Sequence, residues 1–546
     1  MQVSGQAISQ SGRLSYKWVL ASIVILGVFM SILDQTIVNI AIPRLETAFG
    51  ADIHSTQWVL TAYILTQGII TPTSAYFSER FGIKRFYIAS LAAFTLGSAL
   101  CGISWNLSAL IFFRILQGAG GAALLPLSIT LLFREFPPQE RGTAMGFFGI
   151  PTLLAPALGP TLGGYLVTYT DWQAIFFINV PIGIIAIILS SIYLRSSQPE
   201  TGKRFDFPGF FFAALGLGTL LYALSDASTD GWGSTVVIGC LVVGAISLTI
   251  FVLLELSIIR REGQPLLDLR VFLNGPFRAS TIATVFVTFS LFGGIFLLPI
   301  YLQNIRSLSA FQAGIILLPQ ALASMVAVLI GGRLVDRIGV RAVVIPGLII
   351  LAFATWQLTS ITAYSPYGWF QIILVLRGLA LGMCMQPLIV ASLSEIGPRM
   401  LPQASAMSTV TRSIASSLGI AVLATLVQTQ SKVHFAYLAE RVTATSQLGL
   451  LVPRIQALFV VHGASLSNAR SATLQIIDGL LQQQAFVLAI QNAFSVTVVV
   501  CVLAMIAVLF IRGRRPPARV QARPDGSASG ETPDEEETLH PMVFVE

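Results

Sequence analysis

The sequence is poor in charged residues. Only 10% of its 546 residues are Asp, Glu, Lys or Arg, whereas soluble globular domains carry about 25%. The mean hydropathy is +0.79. Apolar runs of the length that a helix needs to cross a bilayer, roughly 20 residues, recur along nearly the whole chain. This composition excludes a single water-soluble globule and predicts an all-α integral membrane protein.

Cysteine and histidine are also scarce. The four cysteines, Cys101, Cys240, Cys384 and Cys501, are scattered among the apolar runs and suggest neither a disulfide framework nor a metal site. The four histidines fall in loops or in the C-terminal tail, without partners at metal-ligand spacing. There is no glycine-rich phosphate loop followed by Lys and Ser or Thr. We therefore predict no catalytic site, no metal and no bound cofactor.

The apolar runs predict fourteen membrane-spanning helices. Their approximate ranges are 18–43, 55–77, 86–104, 107–132, 142–169, 174–194, 207–225, 235–259, 279–303, 311–335, 342–361, 368–394, 404–429 and 487–511. An even number of spans places both chain termini on one side of the membrane.

The distribution of basic residues indicates which side that is. The chain has 32 Lys and Arg residues. Those in loops on the side opposite the termini are Arg44, Arg306, Lys432, Arg441, Arg454 and Arg470. Three more arginines lie inside spans, and all others lie on the side of the termini. Because basic residues accumulate in cytoplasmic loops, we predict that both termini are cytoplasmic. This excess also accounts for the net charge of +7, so nucleic acid is not expected as a partner.

The chain carries an internal repeat. "AYFSERFGIKR" at 75–85 and "GRLVDRIGVRA" at 332–342 both contain an acid, an arginine, a glycine and a further basic residue at the same spacing. "ILQGAGGAALLPL" and "VLRGLALGMCMQPL" form a second pair, which aligns Gly118 with Gly378. The two pairs are offset by 257 and 260 residues, so the chain is predicted to be duplicated.

The repeat divides the chain into segments. We predict an N-terminal tail at 1–17, six-helix bundles at 18–198 and 275–511, an inserted helix pair at 205–260, and a disordered cytoplasmic tail at 512–546. Residues 430–486 contain helix-like apolar stretches such as "LQIIDGLLQQQ", and they are expected to form an ordered external loop near the membrane surface.

These motifs together resemble those of a known family. The two repeated loops, "LDQTIVNIAIP" in span one, "RILQGAGGA" in span four, "APALGPTLGG" in span five and "DWQAIFFINVPIG" before span six resemble the major facilitator superfamily. The closest resemblance is to its fourteen-helix drug/proton antiporters, of the EmrB and QacA type. It implies a multidrug efflux transporter of the bacterial cytoplasmic (inner) membrane, energised by the proton gradient. A monomer that binds small molecules and protons is expected, and a periplasmic adaptor protein would be compatible with it.

One acid lies deep in the first span. Asp34 interrupts an apolar run, and Arg114 in span four is predicted to lie at a similar depth. A buried acid exchanges a proton for a positive partner, and intramembrane charges are usually functional. The resemblance associates the span-four arginine with proton handling. We therefore predict that Asp34 and Arg114 couple proton and substrate movement. The alternative is a purely structural pair that joins the two helices.

Other polar and aromatic residues within spans are candidates for a central cavity. They are Asn39, Trp58, Tyr63, Gln67, Gln117, Phe292, Gln303, Gln320, Arg377, Gln386 and Arg412. Many of them would equally serve as hydrogen bonds between helices. The two deep arginines of the second half are open between a structural and a functional role.

The repeated loops are predicted to form a cytoplasmic latch. Its residues are Glu79, Arg80, Gly82 and Lys84 in the first copy and Asp336, Arg337, Gly339 and Arg341 in the second. An acid would meet a helix N-terminus, and the basic residues would pair with acids across the gap between the halves. An ordinary positively charged loop is the alternative.

Span five is predicted to be bent and tightly packed. Its prolines interrupt the helix and its glycines permit close approach. The residues concerned are Pro156, Gly159, Pro160, Gly163 and Gly164, and the resemblance links this segment to exchange rather than cotransport.

The sequence as a whole thus predicts a proton-coupled exporter of amphipathic or cationic compounds that works by alternating access. Two alternatives stay open: an exporter of one endogenous metabolite or lipid, and a non-transporting membrane sensor with a transporter fold.

Overall fold

A computed structural model describes residues 15–200, 204–227, 230–261, 263–443 and 446–511. These residues form helices joined by short loops, and no strand occurs among them. The predicted tail at 512–546 lies outside the described residues, as does nearly all of the tail at 1–17.

The N-terminal bundle accounts for the first six predicted spans. Its helices are α1 (Tyr16–Phe49), α2 (Ile53–Ile70), α3 (Thr73–Phe81), α4 (Ile83–Gly102), α5 (Leu107–Gly121), α6 (Leu124–Glu135), α7 (Arg141–Tyr169), α8 (Ala174–Phe177) and α9 (Asn179–Tyr193). Three spans are broken, into α2 and α3, α5 and α6, and α8 and α9. Each break contains a proline or lies a few residues before one, namely Pro72, Pro126 and Pro181, because proline removes a backbone donor and crowds the carbonyl four residues earlier.

The rest of the chain forms the inserted pair and the C-terminal bundle. The helices are α10 (Phe207–Asp226), α11 (Thr235–Arg260), α12 (Gly275–Ile300), α13 (Ala310–Ile338), α14 (Val340–Gln357), α15 (Tyr367–Leu393), α16 (Leu401–Glu440), α17 (Gln447–Val461) and α18 (Leu466–Leu509). Local sequence sets several starts. The Asn274 side chain accepts from Phe277 N at the start of α12, and Ser309 and Gln312 form a capping box at the start of α13.

Twelve helices of the described chain are long and apolar enough to cross a membrane, and the bent helix α7 adds a thirteenth. Every predicted span coincides with a helix or a broken pair of helices. The second predicted span, formed by α2 and α3, is the one that is not among these thirteen helices. The prediction of fourteen helices is consistent with this arrangement.

The repeat is visible in the backbone at two glycines. Gly82 joins α3 to α4 with φ +85°, and Gly339 joins α13 to α14 with φ +86°. Side chains rarely adopt this conformation, which glycine tolerates because it has no Cβ. The matched conformation explains why the same loop motif recurs in both halves.

The segment at 430–486, in which the sequence has helix-like apolar stretches, is mostly helical. Helix α16 continues to Glu440, α17 spans Gln447–Val461, and α18 begins at Leu466. With 40 and 44 residues, α16 and α18 are about 60 and 66 Å long, roughly twice the thickness of a bilayer core. The segment therefore continues two of the spans as helices.

The two bundles meet mainly along α7 and α13, and the inserted pair lies beside both of them. Tyr222 of α10 stacks on Trp58 of α2, with ring centroids 5.7 Å apart. The Trp232 indole, before α11, donates to Thr425 Oγ1 of α16 at 2.7 Å. The inserted pair thus contacts the N-terminal bundle through α2 and the C-terminal bundle through α16.

Candidate functional site

A cavity of about 330 Å³ lies between the two bundles. Helices α1, α2 and α7 line it from one half, and α12, α13, α15 and α16 line it from the other. Its size is typical of a small-molecule site. The predicted site residues that line it are Gln67, Pro156, Phe292, Gln320, Gln386 and Arg412.

Asp34 and Arg114 meet in the N-terminal bundle, and both side chains are fully buried. Arg114 Nη1 donates to Asp34 Oδ2 at 2.6 Å. Gln117 Nε2 and Asn179 Nδ2 each donate to Asp34 Oδ1 at 2.9 Å. Arg114 Nε also donates to the Val59 carbonyl at 3.0 Å. The cluster therefore ties together α1, α2, α5 and α9.

The Asp34 cluster lies one layer behind the cavity wall. The Arg114 guanidinium lies 3.9 Å from the centre of the Tyr63 ring. The Tyr63 hydroxyl accepts from Gln67 Nε2 at 2.8 Å, and Gln67 Oε1 accepts from Gln35 Nε2. Both Gln35 and Gln67 line the cavity. A chain of polar contacts thus joins the cavity to the buried ion pair.

Several predicted cavity residues lie elsewhere. Asn39 and Gln303 are exposed, and neither lines the cavity. Trp58 faces the inserted pair through its stacking on Tyr222. Hydropathy along a span that is apolar on all sides does not fix which face turns inward, so these three predictions were wrong. Tyr63 and Gln117 were also misplaced, because they form the layer behind the wall.

Arg377 is fully buried in the C-terminal bundle behind the cavity wall. Its Nη2 donates to the Ser290 carbonyl at 2.6 Å, while Nε and Nη1 have no hydrogen-bond partner in the described chain. The guanidinium packs against Gly294, which does line the cavity. Arg377 therefore binds a backbone carbonyl, one of the two roles that the sequence left open.

Sequence reasoning missed several residues of the site. Asn179 completes the contacts of Asp34, and Thr152 Oγ1 accepts from Gln386 Nε2 of the other half at 3.0 Å. Ser31, Gln35 and a group of hydroxyls on α16 also line the cavity. Single amides and hydroxyls are common in membrane helices, so the sequence carries no signal that separates these from the rest.

The side of the membrane that holds the chain termini, here called the terminal side, is closed by contacts between the halves. Asp336 of α13 accepts from Gly142 N at 2.8 Å, Thr143 N at 2.8 Å and Thr143 Oγ1 at 2.6 Å. These groups form the N-terminus of α7, where a negative charge is favoured. A Cβ on Gly332 would lie 2.3 Å from the Gly142 carbonyl oxygen, so the two backbones are in direct contact.

Two basic residues of the repeated loops bind carbonyls on their own side of this gap. Lys84 Nζ donates to the Ser191 carbonyl at 2.8 Å, and Arg341 Nη2 donates to the Leu509 carbonyl at 2.7 Å. Both acceptors belong to the same half as the donor, so these two contacts do not cross the gap, and the expectation of ion pairs across it stays a prediction. The remaining latch candidates are placed as follows: the Glu79 carbonyl accepts from Glu200 N, Arg80 is half-buried and Arg337 is exposed.

Helix α7 is bent by 44° between Pro156 and Thr161, as proline predicts. Close packing holds for two of its glycines. A Cβ on Gly159 would lie 2.2 Å from Thr36 Oγ1, and one on Gly163 would lie 2.9 Å from Ile37 Cγ1. Gly164 has ordinary room, with Phe311 Cβ at 3.9 Å. Pro160 lies within α7, but its side chain is outside the described part of the chain.

Comparison with known proteins is consistent with this architecture. The family model described as "Major Facilitator Superfamily" matches residues 24–420. The chain is 33% identical over 492 residues to the uncharacterized MFS-type transporter YhcA of Bacillus subtilis, covering 90% of this chain and 92% of the relative. It is 30% identical over 494 residues to the multidrug resistance protein B homolog of Mycobacterium tuberculosis, covering 88% of each.

The fold also matches solved structures. A crystal structure of a double-Trp mutant of XylE aligns with a TM-score of 0.57 at 13% identity, covering 92% of this chain and 97% of that one. The family model spans most of the chain, and the curated relatives align over nearly their full length. The chain is therefore a multi-pass membrane protein that belongs to the major facilitator superfamily.

Proposed function

We propose that this protein is a proton-coupled exporter of amphipathic compounds that works by alternating access. One observation carries the proposal: the Asp34–Arg114 pair is buried in one bundle, one layer behind a cavity shared by both bundles. An ion pair in that place is positioned to respond to events in the cavity through Gln67 and Tyr63. The relative in Mycobacterium tuberculosis is named as a multidrug resistance protein, which supports drugs as the compounds that are moved.

In the proposed cycle, Asp34 carries the proton. Its two oxygens accept hydrogen bonds from N–H groups of Arg114, Gln117 and Asn179, an arrangement that suits an ionised carboxylate, which can only accept. Protonation removes the charge that holds Arg114 and so loosens the contact between α1 and α5. Because Arg114 packs on Tyr63, this change reaches the Gln35–Gln67 contact on the cavity wall. Proton uptake and substrate release are thereby linked within one bundle.

The contacts of Asp336 and Gly332 supply the gate. They hold the terminal side closed, so the structure corresponds to a state in which the cavity is shut off from that side. We propose that this side is the cytoplasm, that the protein resides in the bacterial inner membrane, and that the proton gradient drives it without a bound cofactor. Rocking of the bundles about α7 and α13 would open the gate.

The charge of the substrate needs a separate argument. The sequence favoured amphipathic or cationic compounds. None of the described residues lining the cavity is an acid, so a cation would find no carboxylate on the wall. That part of the prediction stays untested, and the amphipathic character rests on the mostly apolar lining.

An Asp34→Asn variant tests the proposal. Everted membrane vesicles energised by respiration would be given phenylnaphthylamine, ethidium or anilinonaphthalene sulfonate, and dye uptake and proton release would be followed. We expect the variant to lose proton-driven uptake of whichever dye the wild type transports. Asp478→Asn, which changes an exposed acid of the α18 extension, should behave as wild type. Undiminished uptake in Asp34→Asn, at equal amounts of protein in the membrane, would remove Asp34 from the mechanism.

A further inference from the structure

The described lining of the cavity between the bundles carries a positive charge and no negative one. Among the residues described as lining it, Arg412 is the only one with an ionisable side chain. Arg412 lies on α16, is partly exposed to the cavity, and has no ionic partner in the described chain. A cation inside a membrane protein is costly unless something offsets it. The wall that receives the substrate is therefore positive.

Arg412 belongs to a polar stripe on α16. Thr409, Ser413, Ser416 and Ser417 line the cavity together with it. The other four residues follow Thr409 by three, four, seven and eight positions, a spacing that places all five side chains on one helix face. Thr409 and Ser416 donate their hydroxyl protons to backbone carbonyls, whereas Ser413 lies next to the guanidinium in sequence and faces the same space. The stripe therefore surrounds a positive charge with polar side chains.

The remainder of the C-terminal bundle does not neutralise this charge. Its carboxylates, Asp336, Glu395, Glu440 and Asp478, all lie outside the spans expected from the sequence. Arg377, in contrast, lies within a span and packs behind Gly294 of the cavity wall. In the other bundle, Asp34 already neutralises Arg114. The membrane-embedded surroundings of the cavity therefore carry two arginines without a counter-ion among the described residues.

We infer that this cavity binds amphipathic organic anions, with the carboxylate or sulfonate of the substrate held by Arg412 and its apolar body held by apolar side chains of the lining. A guanidinium binds such groups through two parallel hydrogen bonds. The apolar body has suitable contacts, since Ile32, Leu291, Phe292 and Leu298 line the same space. This inference rests on the proposed function and names the substrate class for it.

Two dyes with one carbon skeleton test the inference. Anilinonaphthalene sulfonate and phenylnaphthylamine differ by a single sulfonate, so the ratio of their affinities isolates the charge. Binding would be measured by equilibrium dialysis on the full chain in lipid nanodiscs, with empty nanodiscs subtracted. We expect the anionic dye to bind the wild type about tenfold tighter or more, as for a desolvated charge pair.

Variants of Arg412 then locate the charge. Arg412→Gln should lower the affinity ratio about tenfold, and Arg412→Lys should restore part of it because the charge is kept. Arg470→Gln, which removes an exposed arginine of the extension, should leave the ratio at the wild-type value. Size-exclusion profiles and thermal unfolding identify any variant that fails to fold. If Arg412→Gln fails to fold, the affinity ratios of Arg412→Lys and of the wild type still test the inference.

The outcomes separate the inference from the proposed function. Equal affinities of the two dyes for the wild type, or an unchanged ratio in Arg412→Gln, would overturn the inference. Because this binding needs no proton gradient, either result leaves the Asp34→Asn transport test standing. Conversely, loss of the ratio in Arg412→Gln together with normal transport by Asp34→Asn would uphold anion binding and reject the proposed coupling.

Discussion

Asp34 is held from three directions by donors of different kinds. Arg114 supplies a charge, while Gln117 and Asn179 supply neutral amides to the other oxygen. Arg114 in turn is fixed by the Val59 carbonyl and the Tyr63 ring. With so many fixed partners, the Asp34–Arg114 pair is held in a single arrangement. The direction of its hydrogen bonds, as well as its charge, therefore determines whether the pair can form and break during a cycle.

This view predicts that Arg114→Lys is not a conservative change. Lysine keeps the charge, but it lacks the planar fork with which Arg114 binds Asp34, Gln117 and the Val59 carbonyl at the same time. We expect proton-driven dye uptake in everted vesicles to fall about tenfold or more, a loss on the scale of breaking a buried charged hydrogen bond.

The matched control for that experiment is Arg454→Lys, at an exposed position of α17. It should leave uptake unchanged. Transport by Arg114→Lys at the wild-type rate would show that the charge suffices and that the hydrogen-bond geometry is dispensable.

At the scale of single residues, the sequence identifies charged residues of the site more readily than amide residues. Asp34, Arg114 and Arg412 stand out because each interrupts an apolar run, and each contributes to the cavity or to the layer behind it. Asn179 is as central as Arg114 but looks like any other polar residue at a span entrance. The orientation of a side chain around a uniformly apolar helix depends on tertiary packing, which explains why Asn39 and Gln303 were misassigned.

At the scale of elements, α7 and α13 form the joint between the bundles. On the terminal side, the α7 N-terminus receives the Asp336 carboxylate, and Gly332 lies against Gly142 and Gly146. The contact needs bare backbone on both helices. A single methyl group at that point should separate the helices without altering any charged or polar group.

Gly332→Ala is therefore predicted to favour opening on the terminal side. Its Cβ would lie 2.3 Å from the Gly142 carbonyl oxygen, and overpacking of this kind costs about 1–3 kcal/mol. That cost shifts the ratio of closed to open forms at least about fivefold. Spin labels at exposed Arg85 and Arg399, one in each half, should report longer distances by pulsed electron paramagnetic resonance.

Gly331→Ala is the control, because its Cβ would make only an ordinary contact, 3.5 Å from Met383 Cα. It should leave the distance distribution as in the wild type. Equal lengthening in both variants, or in neither, would rule out the Gly332–Gly142 contact as the gate.

The sequence predicts a helix correctly where apolar length or proline content determines it. It does not predict structure that depends on packing against other helices. The spans and the inserted pair follow from apolar length, and the bend of α7 follows from its prolines. The helical extension of α16 and α18 could not be found in this way. The sequence indicates only helix-like stretches there, and the packing of α17 on α18 shows that they form one structure.

At the scale of the whole molecule, the halves differ in charge although they share a fold. The N-terminal bundle buries an ion pair without net charge, whereas the C-terminal bundle holds two arginines, one buried and one on the cavity wall, and no acid within its predicted spans. The duplication gives two similar bundles that can rock against each other. In the proposed mechanism, the N-terminal bundle handles the proton and the C-terminal bundle recognises the substrate anion.

This division predicts how transport responds to the membrane potential. An anion leaving the cytoplasm and a proton entering it both move positive charge inward. For one proton per monoanion, a potential of about 100 mV, negative on the cytoplasmic side, would contribute roughly 4.6 kcal/mol, against about 2.3 kcal/mol for a neutral dye. In proteoliposomes without a pH gradient, a potassium diffusion potential set with valinomycin should drive transport of anilinonaphthalene sulfonate more steeply than that of phenylnaphthylamine. Reversing the sign of the potential should oppose both dyes. The same dependence for the two dyes would mean that export of the anion admits one proton fewer than export of the neutral dye, and the charge asymmetry of the bundles would then serve binding without contributing to the driving force.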